Sequence, residues 1–438
     1  MDQIKLNIGS KPLVLAWGFL LFALCTFGQS PIPKNIVIDS GPAAFGPEEP
    51  SILIHQKDPS KMVAAANINR LYVSSDTGNT WKKIPISSSM GVYGDPCLVG
   101  DKKGNTYFFH LSNPEGTGWA SPKLLDRIVC QRSKDFGRTW NDGSGIGENH
   151  PKDQDKEWAV VNPDNGHIYI TWTQFDLYAS KEAKDSTLIL FSKSKNKGRT
   201  WSTPTRINEV AGNCIDSDST VEGAVPAVGA NGEIYVCWAV HETLYFDRSL
   251  DGGKTWLSSD IRVAKIAGGW DLKIPGINRC NGMPVTKVDL SGGEFHGRIY
   301  VNWADQTQGL DNTDIWIVYS DDQGSTWSKP VRVNQDNSNR HQFFTWMDID
   351  QATGGLYLVY YDRRNYADLN TDVVLAWSRD GGITFEEKVI SESPFSPTDE
   401  VFFGDYNNIS AHNGLIRPIW TRLEKDTLSI LTAIINLK

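Results

Sequence analysis

The chain has 438 residues and a formal net charge of -9, with 39% hydrophobic residues and 39 Gly, 21 Pro, 16 Trp, 14 Tyr and 17 Phe. That much apolar and aromatic side chain can bury a large core, which excludes a disordered tail or linker. No basic cluster is longer than a pair such as Lys82-Lys83 or Lys102-Lys103, so little is present to neutralise phosphates and no nucleic-acid partner is expected.

At the start, Lys5 and Lys11 precede an apolar run from Leu13 to Phe27, and Thr26 and Gly28 stand three and one residues before Gln29. This pattern predicts an export signal over 1–28, cleaved after Gly28, and a mature chain over 29–438 that is secreted or periplasmic. About 15 apolar residues fall short of the ~20 that a spanning helix needs, and no later stretch comes closer, so no membrane span is expected. Leu24 before Cys25 is bulkier than a lipidation site accepts, which argues against a lipid anchor. The other five cysteines, Cys97, Cys130, Cys214, Cys237 and Cys280, contain no Cys-x-x-Cys pair, so a zinc site is not expected and at most two disulfides can form. Cys97 and Cys237 lie in strand-like apolar runs and read as buried thiols.

The next elements repeat. Ser-x-Asp-x-Gly-x-Thr-Trp occurs at 74–81, 133–140, 194–201, 249–256, 320–327 and 378–385, with Asn196 in place of Asp in the third copy and Phe385 in place of Trp in the sixth. Strand-like residues flank each copy. The Gly can take the positive φ of a hairpin turn while the Asp side chain accepts backbone N–H groups, so the motif predicts a folded turn with an aromatic plug. Six copies of one turn, five with Asp and one with Asn, describe a structural device rather than a catalytic residue.

This motif is the Asp box, or bacterial neuraminidase repeat, and over essentially the whole mature chain the sequence resembles the sialidase superfamily of β-propellers. A second repeat precedes each box: Gly104-Tyr107-His110, Gly166-Tyr169-Trp172, Gly232-Tyr235-Trp238, Gly297-Tyr300-Trp303, Gly354-Tyr357-Tyr360 and Gly414-Arg417-Trp420, with a degenerate copy at 62–66. Seven such strands face six boxes. If each box joins the third and fourth strands of a blade, the last unit supplies only three strands before the chain ends. The segment Asn35-Ile-Val-Ile-Asp39 resembles the strands that follow boxes and is expected to complete that blade and close the ring.

The expected fold is therefore all-β: a single propeller of four-stranded blades, seven favoured over the six of sialic-acid-hydrolysing sialidases. The blades fall near 48–90, 91–147, 148–212, 213–268, 269–336, 337–397 and 398–438 with 35–40. In such a ring the inner strands start at one channel mouth, opposite the boxes. This gathers Glu48, Glu49, Asp95, Asp155, Lys156, Glu157, Glu222, Arg279, His341, Asp405 and Tyr406 on one face, a set suited to a polar, sugar-sized ligand.

The resemblance assigns roles to some of these. Tyr406, which opens the last inner strand ahead of Gly414, matches the family's nucleophile. Glu222, opening an inner strand before Gly232, matches the carboxylate that takes the tyrosine proton, which a phenol of pKa ~10 requires in order to attack. Arg363 or Arg364 matches one of three Arg that grip a substrate carboxylate. The other two are not at matching positions, since the strand after Glu222 ends at His241 rather than Arg. Arg279, Arg422 and His241 are the remaining candidates for substrate contact, and Asp95 or Asp155 for the general acid. A secreted, monomeric sialidase-type glycosidase acting on a terminal acidic sugar is implied. A uronic-sugar hydrolase or lyase and a non-catalytic glycan- or protein-binding propeller stand as alternatives. No His-Glu-x-x-His, phosphate loop or Gly-x-Ser-x-Gly is present, and Asp216-Ser-Asp218 and 162–166 read as solvated loops. No metal or cofactor is assigned.

Overall fold

A computed structural model describes residues 31–437; the expected export signal and its cleavage site lie outside the described residues. Strand runs such as Ile299–Asp305 and Gly355–Asp362 are buried at every position. Both faces of each sheet must therefore be covered, and the sheets do this for one another by stacking around an axis. Seven antiparallel sheets form, six of them in simple meander order. Their first strands are Ser51–Ile54, Cys97–Gly100, Asp153–Val161, Glu222–Val228, Val285–Val288, Gln342–Asp350 and Asn408–His412. Each contacts the next, and the last contacts the first, so they form the inner ring of a seven-bladed propeller.

The seventh blade closes as the strand count requires. Asn35–Pro42 pairs antiparallel with Thr427–Ala433, with Asn35 opposite Ala433 and Pro42 opposite Thr427, and a bulge between Val37 and Asp39. Ile36 and Ile38 are half-buried. Ile38 packs on a cluster containing Ile52, Tyr72, Ile419 and Ile430, which ties the closing strand to the first blade. Asp39 adds polar ties by accepting a hydrogen bond from the Tyr72 hydroxyl and pairing with Lys83 at 3.0 Å. A short piece, Ile435–Asn436, folds back onto Leu415 and Ile416.

Five of the six turns are closed by the same bonds, and in the third the Asn196 amide instead donates to the Thr200 hydroxyl at 2.7 Å. In the first, Ser74 Oγ donates to Asp76 Oδ1 at 2.8 Å, Gly78 N–H donates to Ser74 Oγ at 3.0 Å, and Thr80 donates to both Asp76 oxygens at 2.9 and 2.6 Å. In three copies the Trp that ends the turn packs edge-to-face with an aromatic ring of the preceding blade: Trp201 with Phe109, Trp256 with Phe191 and Trp327 with Phe246, with centroids 5.8, 5.0 and 5.1 Å apart. These rings are half-buried and bind blade to blade. All five cysteines among the described residues are buried and unpaired. No helix among the described residues is long and apolar enough to cross a membrane.

The ring encloses a channel cavity of about 480 Å³, lined by residues of all seven inner strands. Trp158 and Trp346, whose centroids are 4.5 Å apart, line the end nearest the strand starts. The titratable residues discussed next stand beyond this pair, at the mouth.

Candidate functional site

The mouth is built by one repeated backbone device. A residue with left-handed φ stands just before, or within a bulge of, five inner strands: Glu49 (50°), Asp95 (46°), Lys156 (53°), Gly223 (77°) and Phe344 (50°). In three blades the ladder skips there, between Asp155 and Trp158, Glu222 and Val225, and Phe343 and Trp346. The bulge re-aims the side chains around it. Only Gly223 adopts this conformation freely; each of the others costs about 1 kcal/mol or more, strain of the kind that collects at functional sites.

Lys156 is the hub. Its Nζ lies 2.6 Å from Asp405 Oδ2, 3.5 Å from Asp95 Oδ2 and 3.9 Å from Glu49 Oε1, with its side chain 5% exposed. Asp405 also accepts two hydrogen bonds from Arg279, one of them Nε to Oδ1 at 2.9 Å. Arg279 turns its other nitrogen to Asp216, which further accepts the Tyr178 hydroxyl at 2.7 Å. Asn67 locks the far side, donating to Glu49 and accepting the Asp95 N–H at 2.9 Å. Burial alone would raise the Asp405 carboxyl, but Arg279 and Lys156 hold it down at about 2. The same carboxylates, Asp405 first, keep Lys156 charged despite its burial.

Around this ionised centre sit carboxyls pushed the other way. Burial, reinforced by Asp95, lifts Asp155 to about 7, and burial lifts Glu48 to about 7. Glu157 is raised well above its usual range by burial and by Asp95, and Glu222 by burial and by Asp216. Neither Glu157 oxygen has a hydrogen-bond partner, nor does the Tyr406 hydroxyl, although both residues are buried. Tyr406 packs edge-on to Trp158 at 4.9 Å and lies 6.0 Å from Trp346. Burial first, then Asp95, Glu49 and Glu157, keep its phenol protonated well above 10. Carboxyls whose environments push them apart around one buried phenol are the arrangement that acid–base chemistry uses.

Of the residues singled out from sequence, the mouth brings together Tyr406, Asp95, Asp155 and Arg279. Glu222 is also there, but its neighbours are Asp216, Lys156 and Asp155, whereas the glutamates among the groups acting on Tyr406 are Glu49 and Glu157. The other cations are engaged elsewhere. Arg363 is buried, donating to Thr371 Oγ1 at 3.0 Å and to the Pro275 carbonyl at 2.6 Å, and lies over Phe343. Arg364 is held by Asp362 and Glu387, and Arg422 by Ser393 and Pro394. His241 is exposed at the tip of the hairpin between Val240 and Thr243. Sequence reasoning did not select Trp158, Trp346, Tyr178 or Asp216, because aromatic and loop acidic residues carry no spacing signal of their own.

No protein-family model matches the chain. Among solved structures, it is similar to an ulvan lyase described as a new family of polysaccharide lyase, at 13% identity over 92% of this chain and 96% of that one, with a TM-score of 0.56. The same lyase bound to -[GlcA(1-4)Rha3S]- aligns at 14% identity over 92% and 96%, with a TM-score of 0.55. A Hadza microbial sialidase aligns at 14% over 86% and 73% with a TM-score of 0.48, and an α-L-arabinanase of Penicillium chrysogenum at 16% over 79% and 98% with a TM-score of 0.49. What these likenesses share with this chain is the propeller architecture.

Proposed function

We propose that this protein is an exported carbohydrate-active propeller that cleaves a glycosidic bond at the channel mouth. The observation that carries the reading is the buried Tyr406 hydroxyl, with no hydrogen-bond partner, among carboxyls of opposed character. In this reading Tyr406 attacks the anomeric carbon. Glu157, in its ionised form, accepts the phenol proton, and Asp155, protonated below about 7, donates a proton to the leaving oxygen and then takes one from the water that frees the sugar from Tyr406. Lys156 and Arg279 hold Asp405 ionised beside them. The glycan class is supported by the ulvan lyase that shares the fold.

The sugar bound at Tyr406 is proposed to be neutral, because Lys156 and Arg279 are both saturated by carboxylates. A terminal acidic sugar, the sialidase-type reading, is favoured by one feature: the Arg279 side chain is 27% exposed, so it is the mouth cation that reaches solvent. Turnover of a panel of neutral aryl glycosides and an aryl sialoside decides between them. Tyr406→Phe should lower kcat at least about 1,000-fold with little change in melting temperature, since it removes one oxygen and keeps the ring packing. Full activity in this variant rejects the nucleophile role.

A further inference from the structure

Trp119 is the one exposed tryptophan among the described residues, at 65% exposure. It belongs to the short turn Gly118–Ala120, in the loop between the second and third strands of blade 2, on the same face as the mouth. Its ring is not loose. It lies over Tyr178 with centroids 5.4 Å apart and planes at 38°. Tyr178 is fixed in turn by Phe175 at 5.1 Å, by its N–H to Asp153 Oδ2 at 2.8 Å and by its hydroxyl to Asp216. Asp216 pairs with Arg279, and Arg279 with Asp405, the residue next to Tyr406. An unbroken line of contacts therefore runs from the exposed ring to the mouth.

A large apolar ring that packs on Tyr178 with one side and leaves most of its surface in water buries little area in the free protein. It is the surface on which the C–H face of a sugar ring can stack, while hydroxyls at the rim stay hydrated or find polar partners. Pre-organisation matters here, because a ring already fixed by Tyr178 loses little rotamer freedom on binding. We infer that the Trp119–Tyr178 pair is a second sugar subsite, taking a pyranose ring of the same glycan whose reacting unit lies at Tyr406. This rests on the glycan reading above and makes the substrate an oligosaccharide rather than a single terminal sugar.

The test is binding, so that it does not depend on turnover. Tyr406→Phe protein is titrated, by tryptophan fluorescence and calorimetry, with xylo-, cello-, manno- and ulvan-derived saccharides of one to six units. At least one series should bind, with affinity rising tenfold or more between the monosaccharide and the tetrasaccharide. Adding Trp119→Ala should abolish that gain while altering monosaccharide binding less than about twofold and leaving the melting temperature unchanged; Trp119→Tyr should restore part of it. Equal affinity for every chain length, or a Trp119→Ala protein that binds as its parent does, overturns the subsite, as does absence of binding by every series. Chain-length-dependent binding without turnover by the parent protein would instead sink the cleavage reading and leave the subsite standing.

Discussion

Replacing Lys156 by Met tests whether this residue is the counter-charge that lets an acidic mouth fold. The side chain is 5% exposed and its ammonium touches Asp405 at 2.6 Å, with Asp95 and Glu49 within 4.0 Å. Removing one partner of a buried ion pair costs about 3–5 kcal/mol, and because Asp405 keeps Arg279 the lower end is expected, about 3 kcal/mol. For roughly 400 ordered residues, with about 2.1 cal/mol/K of unfolding entropy each, this is a drop of about 3–4 °C in Tm. The pH dependence gives the sharper signature. Lys156 lowers the pKa of Glu49, Asp155, Glu157 and Glu222, so all four rise further without it. A carboxyl raised in the folded state carries no penalty below its unfolded pKa and one that grows from there until the folded value is passed, so raising that value further in the variant adds penalty only at the higher pH. The deficit of Lys156→Met should therefore be largest near pH 8 and shrink toward pH 5. Urea midpoints of parent and variant at both pH values, compared at equal m, measure it. A deficit larger in acid, or no deficit at either pH, refutes the counter-charge role. In a double-mutant cycle, Asp405→Asn should recover about 1 kcal/mol or more of the loss.

Deleting residues 32–41 removes the closing strand and leaves Thr427–Ala433 as an open edge. About six ladder hydrogen bonds at about 1 kcal/mol each put the loss near 5 kcal/mol or more. A synthetic peptide of the same sequence should restore part of the lost Tm, and a deletion as stable as the parent refutes closure by this strand. Trp256→Ala should cost about 2–3 kcal/mol, less than for a fully buried ring because Trp256 is half-buried against Phe191. Chemical unfolding checks the size, and unchanged saccharide affinity of the folded variant checks that the loss is structural.

The fold was legible because it repeats. The glycine-led second strands and the box turns mark every blade, and the mismatch of seven against six points to Asn35–Asp39 as the missing strand, which the ladder to Ala433 bears out. The mouth was legible only as a set of chain positions. Glu222 and Asp155 each stand just before a left-handed residue and Glu157 follows one, while Asp95 and Glu49, which adopt that conformation themselves, act on Tyr406 together with Glu157. Glycine announces the turn only at Gly223. Glu49, Asp95, Lys156 and Phe344 adopt the same conformation with no compositional sign. Arg363 and Arg364 are expected as substrate contacts from their place after a strand, and sequence position does not reveal that Thr371 and the Pro275 carbonyl hold Arg363 through Nε and Nη1 while its Nη2 stays without a partner, or that Asp362 and Glu387 hold Arg364.

The pairing of Asn35–Pro42 with Thr427–Ala433 also sets an order of events. A chain made from its N-terminus delivers this strand first and its partner last, so the strand waits through nearly the whole of synthesis for its place. Until then every intermediate is an arc with a free edge at each end, able to pair with another arc instead of itself. Completion is a single late contact between the most distant parts of the chain, with the slow closure that such separation imposes. An export pathway that delivers the chain unfolded would let both ends arrive before that choice is made. Yield should then depend on chain concentration during refolding far more steeply than on the stability of the finished ring.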